Sequence, residues 1–309
     1  SDASGFELSP AVLVITNIDR DHMDFWPDHS ALISAFEKFA VAVGDNPSRS
    51  GVVIACADDP NARGVAASAS RTACRVITYG TSESADVRIV DVQADALGQS
   101  ARVSGLVDIE LLRVALPGIH NLRNAAAVIA LAHARGWAMD AVVEALAQFR
   151  STRRRFEVIG DVDGITIVDD YAHHPTAVAA TIAGAQDIAA ARRSDGLPSR
   201  VVAICQPYRW YRTAALASDY ASALAAADIV VLLDVFGPGE QPIAGAGALD
   251  IAGQMVVAPE YVGTKERAVE WLLQNAQVGD LILTLGGEDV RNVAVSAVTA
   301  LADSAAGAV

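Results

Sequence analysis

The polar residues best suited to chemistry follow an apolar, strand-like run that ends at Val168. They occupy positions Asp169 to Pro175 and include two carboxylates, a tyrosine and two histidines. So many titratable groups at a strand end predict a ligand site, because open α/β sheets bind ligands at the carboxyl ends of their strands. The alternative is a polar turn that leads into a helix, since Pro175 suits the first helical position.

A second polar stretch follows the first predicted strand and contains Asp19, Asp21, His22 and Asp24. Carboxylates together with an imidazole can hold a divalent cation that bridges phosphates, so this turn is a candidate metal site. The alternative is an acidic helix start, which the helix dipole favours.

A third stretch, Gln206 to Thr213, follows a later strand. Arg209 and Arg212 are spaced to lie on one side of a helical turn, where two guanidinium forks would bind a small carboxylate. A surface position for both arginines is the alternative.

Amides and arginines mark two further candidates. Asn121 and Asn124 lie three residues apart at a helix start, where their amides could read a nucleobase edge or simply cap the helix. Three arginines, Arg153 to Arg155, precede Phe156 at a predicted domain junction. They form either a solvated charge run or the source of one arginine that binds a phosphoryl group. Arg155 is the best candidate because Phe156 begins the next strand. The glycine turn at 286–287 is a weak anion-binding signal.

Alternating strands and helices predict an α/β fold with parallel sheets covered on both faces. The predicted strands are Val12 to Thr16, Val52 to Cys56, Arg75 to Tyr79, Ile165 to Val168, Val201 to Ile204, Ile229 to Leu233, Gln254 to Val257 and Leu281 to Leu285, with an antiparallel addition from Val87 to Val92 and Val103 to Val114. The predicted helices are Ser30 to Val43, Asn61 to Ala69, His120 to Arg135, Asp140 to Phe149, Pro175 to Ala190, Ala214 to Ala226, Lys265 to Ala276 and Val290 to Leu301. The arginine-rich break predicts one domain over residues 1–151 and a doubly wound, Rossmann-like domain over 152–309.

The composition limits the class of protein. With 52% hydrophobic and 19% charged residues, the 309-residue chain can bury a sizeable core, and its net charge of −14 argues against a nucleic-acid partner. No apolar stretch approaches the roughly 20 residues that span a bilayer, and Ser1 to Gly5 lacks a signal-peptide pattern, so we expect a cytoplasmic protein without membrane insertion. Three cysteines without CxxC spacing indicate buried thiols of a reducing compartment, namely Cys56, Cys74 and Cys205.

Six motifs, taken together and in this order, resemble the Mur ligase family of ATP-dependent enzymes that form peptide bonds. They occupy residues 16–24, 117–125, 153–156, 169–176, 206–213 and 283–289. The likeness extends over nearly the whole chain and is strongest to the members that add L-alanine. It implies a central ATP-binding domain followed by a C-terminal amino-acid-binding domain.

The resemblance also implies cofactors, substrates and residue roles. ATP and Mg²⁺ would be the cofactors, and UDP-N-acetylmuramate and L-alanine the substrates, joined through an acyl phosphate in peptidoglycan precursor synthesis. His22 would bind Mg²⁺, Asn121 and Asn124 would lie in the ATP site, Arg155 would reach the phosphates, and Asp170 would hold the ribose. The amino-acid pocket would consist of Tyr171, His173, Tyr208, Arg209 and Arg212. The oligomeric state stays open, with a homodimer as one form.

The sequence departs from the family pattern at several positions, and some of these departures lead to further expectations. The Gly-rich ATP-binding turn that ends in Gly-Lys-Thr is absent from the sequence, so we expect a chain that begins within the central domain, lacks the UDP-binding domain and is inactive by itself. Tyr208 replaces a more usual histidine, and Gly287-Glu288 a more usual Ala-Gly pair. Some relatives hold metal with a carbamylated lysine; here Lys38 fits that role poorly, and Glu37 could supply the negative charge.

Two other functions stay open. A murein tripeptide ligase of cell-wall recycling shares the Asp-Asp-aromatic-Ala-His-His-Pro motif, but closely spaced arginines favour a small free amino acid. A non-catalytic nucleotide- or peptide-binding module is the other. The missing ATP-binding turn favours it for this segment, whereas the intact Asp170, His173, Arg209 and Arg212 argue against it for the parent protein.

Overall fold

The computed structural model describes residues 3–44, 51–95 and 98–307. Ser1 and Asp2, which open the segment without a signal-peptide pattern, lie outside these residues. The chain divides into two compact units: the first ends at Phe149 and the second begins at Arg150, with the stretches 94–95 and 116–118 grouped with the second. None of the described helices combines the length and the hydropathy that crossing a bilayer requires.

The first unit contains a six-stranded sheet in which β1 to β6 follow each other in chain order. Its elements are a 3₁₀ helix (Ser4–Glu7), β1 (Val12–Ile15), α1 (His29–Gly44), β2 (Val52–Cys56), α2 (Pro60–Ala69), β3 (Arg75–Gly80), β4 (Val87–Asp95), β5 (Gly98–Gly105), β6 (Ile109–Val114), α3 (Ile119–Arg135) and α4 (Met139–Gln148). β1, β2 and β3 pair in parallel. All five residues of β2 are apolar and buried, as expected of a strand covered on both faces.

The antiparallel addition differs from its prediction in two respects. Its first strand, β4, pairs in parallel with β3. β5 and β6 pair antiparallel as expected, but the segment predicted to run from Val103 to Val114 contains the end of one strand and the whole of the next. Gly105 ends β5 with a φ of 114°, and a Cβ there would lie 2.2 Å from the carbonyl oxygen of Asp86. Only glycine tolerates this turn, so the chain reverses inside the predicted segment.

The second unit is a six-stranded, doubly wound sheet in the order β11-β10-β9-β12-β8-β7. Its elements are β7 (Glu157–Val162), β8 (Ile165–Asp170), α5 (Pro175–Ser194), β9 (Arg200–Gln206), α6 (Trp210–Leu224), β10 (Ile229–Leu233), α7 (Ala248–Ala252), β11 (Tyr261–Gly263), α8 (Lys265–Asn275), β12 (Asp280–Gly286) and α9 (Arg291–Gly307). The edge strand β7 is antiparallel to β8, and the others pair in parallel.

The strand predicted from Gln254 to Val257 is wrong. Val256 is 98% exposed and Val257 76% exposed, so this apolar run is not part of the sheet. The fifth parallel strand is Tyr261–Gly263 instead, which pairs with β10. Tyr261 packs on one core of the sheet and Val262 on the other, so alternation across the sheet selects this segment.

The helices of the second unit divide between the two faces of its sheet. Side chains of α5 and α6 share one core, and those of α8 and α9 share the other. Neighbouring strands β9, β12 and β8 are therefore followed by helices on opposite faces, which opens a crevice at their carboxyl ends. The register pairs Gly286 with Gln206 and Leu285 with Asp170 at this edge.

Candidate functional site in the second unit

Asp169 is the buried anchor of this edge. Its carboxylate is fully buried and accepts hydrogen bonds from Arg154 Nε at 3.0 Å, from Arg291 Nη1 at 3.2 Å and from Thr284 Oγ1 at 2.9 Å. A buried charge persists only where its partners compensate for lost hydration, and here two guanidinium groups do so. Asp169 therefore holds structure together and is not open to a ligand.

Asp170 organises the backbone around the strand end. Its Oδ2 accepts from the Phe156 amide and its Oδ1 from the Ala172 amide, each at 2.8 Å, and the residue is 7% exposed. Burial raises the pKa of the Asp170 carboxyl, and these two hydrogen bonds offset part of that shift. The role of Asp170 toward a ribose stays a prediction.

The three consecutive arginines have different environments. Arg154 is held inward by Asp169, and it also donates to the Gly287 carbonyl and stacks 4.7 Å from the centroid of the Tyr171 ring. Arg153 and Arg155 are exposed, and the Arg155 guanidinium carbon lies 5.9 Å from the same ring. Arg155 thus combines a position at the strand ends with an exposed charge, while its action on phosphates stays a prediction.

A row of aromatic rings crosses the carboxyl ends of β8 and β9. Ring centroids are 4.9 Å apart for Tyr171 and His173, 5.3 Å for His173 and Tyr208, and 6.1 Å for Tyr208 and Phe236. His173 is fixed by a 2.7 Å contact between its Nδ1 and the Tyr171 carbonyl, and the Tyr220 hydroxyl donates to the His173 carbonyl. The structure therefore brings together the three predicted pocket residues Tyr171, His173 and Tyr208.

Both predicted carboxylate-binding arginines surround the ring of Tyr208. The guanidinium carbon of Arg209 lies 5.5 Å from the ring centroid and that of Arg212 lies 5.9 Å away, which is cation–π range. Arg212 is 4% exposed and donates to the Tyr208 carbonyl at 3.1 Å. Arg209 immediately precedes α6 and pairs with Glu240 at 3.2 Å, which raises the pKa of the arginine.

Several residues that shape this edge were not identified from the sequence. Glu240 accepts hydrogen bonds from Arg209 and from the Trp210 amide. Arg291 makes a two-pronged contact with Glu157 at 2.6 and 3.0 Å, and this arginine lowers the pKa of the Glu157 carboxyl. Partners more than 100 residues apart leave no local signal in the sequence, although Glu157 directly follows the arginine motif.

Candidate functional site in the first unit

His22 is the predicted metal ligand of the first unit. Its side chain is 45% exposed, and its Nε2 lies 3.8 Å from Asp21 Oδ2. Within the described residues, no group of three or more His, Cys, Asp or Glu side chains converges as a cation site. Asp19 and Asp24 thus do not complete the predicted set. Magnesium commonly takes only one or two protein ligands and fills its shell with water and phosphate, and the role of His22 toward that ion stays a prediction.

The two amides predicted for the ATP site lie in the first turns of α3. Asn121 Nδ2 lies 3.1 Å from His120 Nε2, and Asn124 is exposed.

Glu37, proposed as a negative charge near the metal, accepts a hydrogen bond from the Ser68 hydroxyl at 3.0 Å between α1 and α2. Lys38 lines a cavity of about 230 Å³ together with Phe6 and other largely apolar side chains of the α1 region.

A partly buried ion pair that the sequence did not reveal fixes the start of α3. Arg123 Nε donates to Asp58 Oδ2 at 2.6 Å, and Asp58 also accepts from the backbone amides of Thr81 and Ser82 and from the Thr81 hydroxyl. These contacts tie the ends of β2 and β3 to the helix that carries Asn121. Burial works to raise the pKa of Asp58, but the hydrogen bonds outweigh it and keep this pKa below its ordinary value.

We expect Asp58→Asn to destabilise the first unit by about 1–3 kcal/mol at neutral pH, because it removes a charged acceptor from several donors. The native pKa lies below the ordinary 3.8, so the contribution of Asp58 is present above that pH and is lost as pH falls through the native pKa. Hydrogen exchange of the Thr81 and Ser82 amides at pH 7 and at acid pH measures both effects. Asp108→Asn, at an exposed aspartate of the same unit, is the matched control. An equal loss for both variants would contradict the assignment.

Comparison with known proteins

Two domain families match the chain, one for each unit. The Mur ligase middle domain matches residues 1–132, and the Mur ligase, glutamate ligase domain matches residues 154–287. The chain belongs to the Mur ligase family. This agrees with the resemblance carried by the six motifs, and the mixed α/β fold with two mainly parallel sheets is the fold of these domains.

Individual relatives show which members of the Mur ligase family this chain is similar to. The chain is 40% identical over 300 residues to a UDP-N-acetylmuramate–L-alanine ligase of Acidothermus cellulolyticus, covering 94% of this chain and 60% of that protein. It is 39% identical over 306 residues to the ligase of the same name from Kineococcus radiotolerans, covering 98% and 62%. The crystal structure of the UDP-N-acetylmuramate-alanine ligase of Thermotoga maritima matches with a TM-score of 0.73 at 24% identity, covering 97% and 61%. This Mur ligase chain thus spans about 60% of the length of the curated relatives it matches.

Proposed function

We propose that the protein is an ATP-dependent ligase that joins L-alanine to UDP-N-acetylmuramate, and that it acts in the cytoplasm. The observation that carries the proposal is the pair of arginines, Arg209 and Arg212, arranged around Tyr208 at the strand ends of the second unit. Two guanidinium groups bind one small carboxylate well, and a free amino acid presents such a group. The names of the aligned relatives support this substrate.

The reaction proceeds in two steps. A carboxylate oxygen of the muramoyl group attacks the γ-phosphorus of ATP, which forms an acyl phosphate and releases ADP. The neutral amine of alanine then attacks the acyl carbon, phosphate leaves with the former carboxylate oxygen, and the amine loses its proton as the amide forms. Both steps concentrate negative charge, so catalysis depends on fixed positive groups.

Residues of each unit are assigned to parts of this chemistry by the proposal. His22 would hold Mg²⁺, which neutralises phosphate charge when bound. Asn121 and Asn124 would contact the adenine. Arg155, whose charge is exposed, would bind the transferred phosphoryl group. Tyr171 and His173 would line the pocket in which the amino acid lies.

The direct test is alanine-dependent release of phosphate. The protein as its native host makes it is incubated with UDP-N-acetylmuramate, ATP and Mg²⁺, and phosphate and amide product are measured together. The proposal requires one phosphate per amide and no sustained release without L-alanine. Release that does not depend on an amino acid would overturn it.

We expect Asp170→Ala to raise the KM for ATP while the KM for L-alanine stays close to its original value. This follows if the carboxylate contacts the ribose as well as the Phe156 and Ala172 amides. Steady-state kinetics with each substrate varied in turn measures both constants. A parallel rise in both would show that Asp170 only orders the backbone, and an unchanged ATP dependence would remove it from the nucleotide site.

A further inference from the structure

Gly287, in the turn between β12 and α9, lies directly against the ring of Tyr208. A Cβ at position 287 would lie 2.4 Å from Cδ2, 2.7 Å from Cε2 and 2.9 Å from Cγ of that ring. Its φ lies outside the left-handed region that favours glycine, in contrast to that of Gly286. The backbone would therefore accept alanine, and the three atoms nearest to such a Cβ all belong to the tyrosine ring, so this ring is what requires a glycine here.

Neither Gly287 nor the Tyr208 ring has room to move away from the other. On one side, the Gly287 carbonyl accepts from Arg154, which is held in turn by the fully buried Asp169, so the turn cannot easily retreat. On the other side, the Tyr208 ring is 9% exposed and packs against His173 and Phe236. A methyl group at position 287 would therefore displace the ring.

Displacing the ring would disturb both carboxylate-binding groups. The guanidinium carbons of Arg209 and Arg212 lie 5.5 and 5.9 Å from the Tyr208 centroid, so both groups are arranged around the ring that Gly287 contacts. Because both arginines are arranged around one ring, the position of that ring sets where they stand relative to each other. A change at position 287 therefore reaches the arginines through Tyr208.

We propose that Gly287 is a positioning residue of the amino-acid pocket, which acts by letting the Tyr208 ring lie where it orients Arg209 and Arg212 toward one small carboxylate. The inference rests on the proposed function for the identity of the bound carboxylate. The steric coupling between positions 287 and 208 does not depend on that identity. Gly287 makes no contact with the substrate in this account and takes no part in the chemistry.

The test is a double-substitution cycle in the protein as its native host makes it. Gly287→Ala should raise the KM for L-alanine by about 10-fold or more and leave the KM for ATP unchanged, since coupled neighbours typically interact at this level. Tyr208→Leu removes the ring and should raise the KM for L-alanine by itself. Adding Gly287→Ala to Tyr208→Leu should then cost less than about 2-fold. Gly64→Ala, in the open space of α2, is the matched control and should change neither constant.

Thermal denaturation of the same variants measures the coupling between positions 287 and 208 without an activity assay. In the unmodified protein, Gly287→Ala should lower the Tm markedly. In the Tyr208→Leu background, the same substitution should lower the Tm only slightly. If Gly287→Ala fails to fold, recovery of folding in the double variant still supports the coupling. Additive effects on both Tm and the KM for L-alanine, or a double variant that stays unfolded, would overturn the inference. An unmodified protein that shows no alanine-dependent turnover, with the Tm coupling intact, would overturn the proposed function alone.

Discussion

Replacing Arg209 or Arg212 by alanine is expected to weaken L-alanine binding by about 2–5 kcal/mol, because each change removes one of the two charged partners of the bound carboxylate. The loss should appear as a raised KM for L-alanine with the KM for ATP preserved. Arg212 should show the larger effect, since its guanidinium is buried and a buried charge pair is costly to break. Steady-state kinetics of both variants measures the result.

Two further variants sharpen this prediction. Arginine to lysine at either position should rescue poorly, because an ammonium group cannot reproduce the bidentate geometry of a guanidinium. Arg267→Ala, at an exposed arginine of α8 in the same unit, is the matched control and should leave alanine saturation unchanged. Ordinary alanine saturation in both Arg209→Ala and Arg212→Ala would place the amino-acid pocket elsewhere.

The second large effect concerns stability. Asp169→Ala should lower the free energy of unfolding of the second unit by about 3–5 kcal/mol, because it leaves Arg154 and Arg291 facing each other without their shared carboxylate. Urea denaturation followed by circular dichroism measures the change. Asp219→Ala, at an exposed aspartate of α6, should change the same free energy by less than about 0.5 kcal/mol. Similar losses in the two variants would show that Asp169 is not the anchor of this edge.

The central strands were predictable because their composition leaves little choice. Ile229–Leu233 and Val52–Cys56 are runs of apolar, mostly β-branched residues, and the structure has both with the predicted bounds. The run Gln254 to Val257 contains similar residues, but burial in a sheet depends on what packs against it. Tyr261–Gly263, which looks less like a strand, fills that place since its side chains reach both cores.

The residues of the candidate site also divide into those that the sequence could identify and those that it could not. Tyr171, His173, Tyr208, Arg209 and Arg212 could be selected because each lies just after a predicted strand, where parallel sheets gather their ligands. Their supports could not be selected: Glu240 acts on Arg209 from a distant loop, and Arg291 reaches Asp169 from 122 residues away along the chain. Such pairings depend on strand order and register, which local patterns do not determine. The steric need for glycine at position 287 is a further example.

The most direct test of the proposed amino-acid substrate is a competition between amino donors. The protein as its native host makes it is given ATP, Mg²⁺ and UDP-N-acetylmuramate together with equal concentrations of L-alanine and the murein tripeptide, and the products are identified by mass. The arginine pair around Tyr208 predicts that the alanine adduct accumulates and that the tripeptide adduct does not. A product that carries only the tripeptide, or ATP hydrolysis without any amide product, would contradict the proposed function.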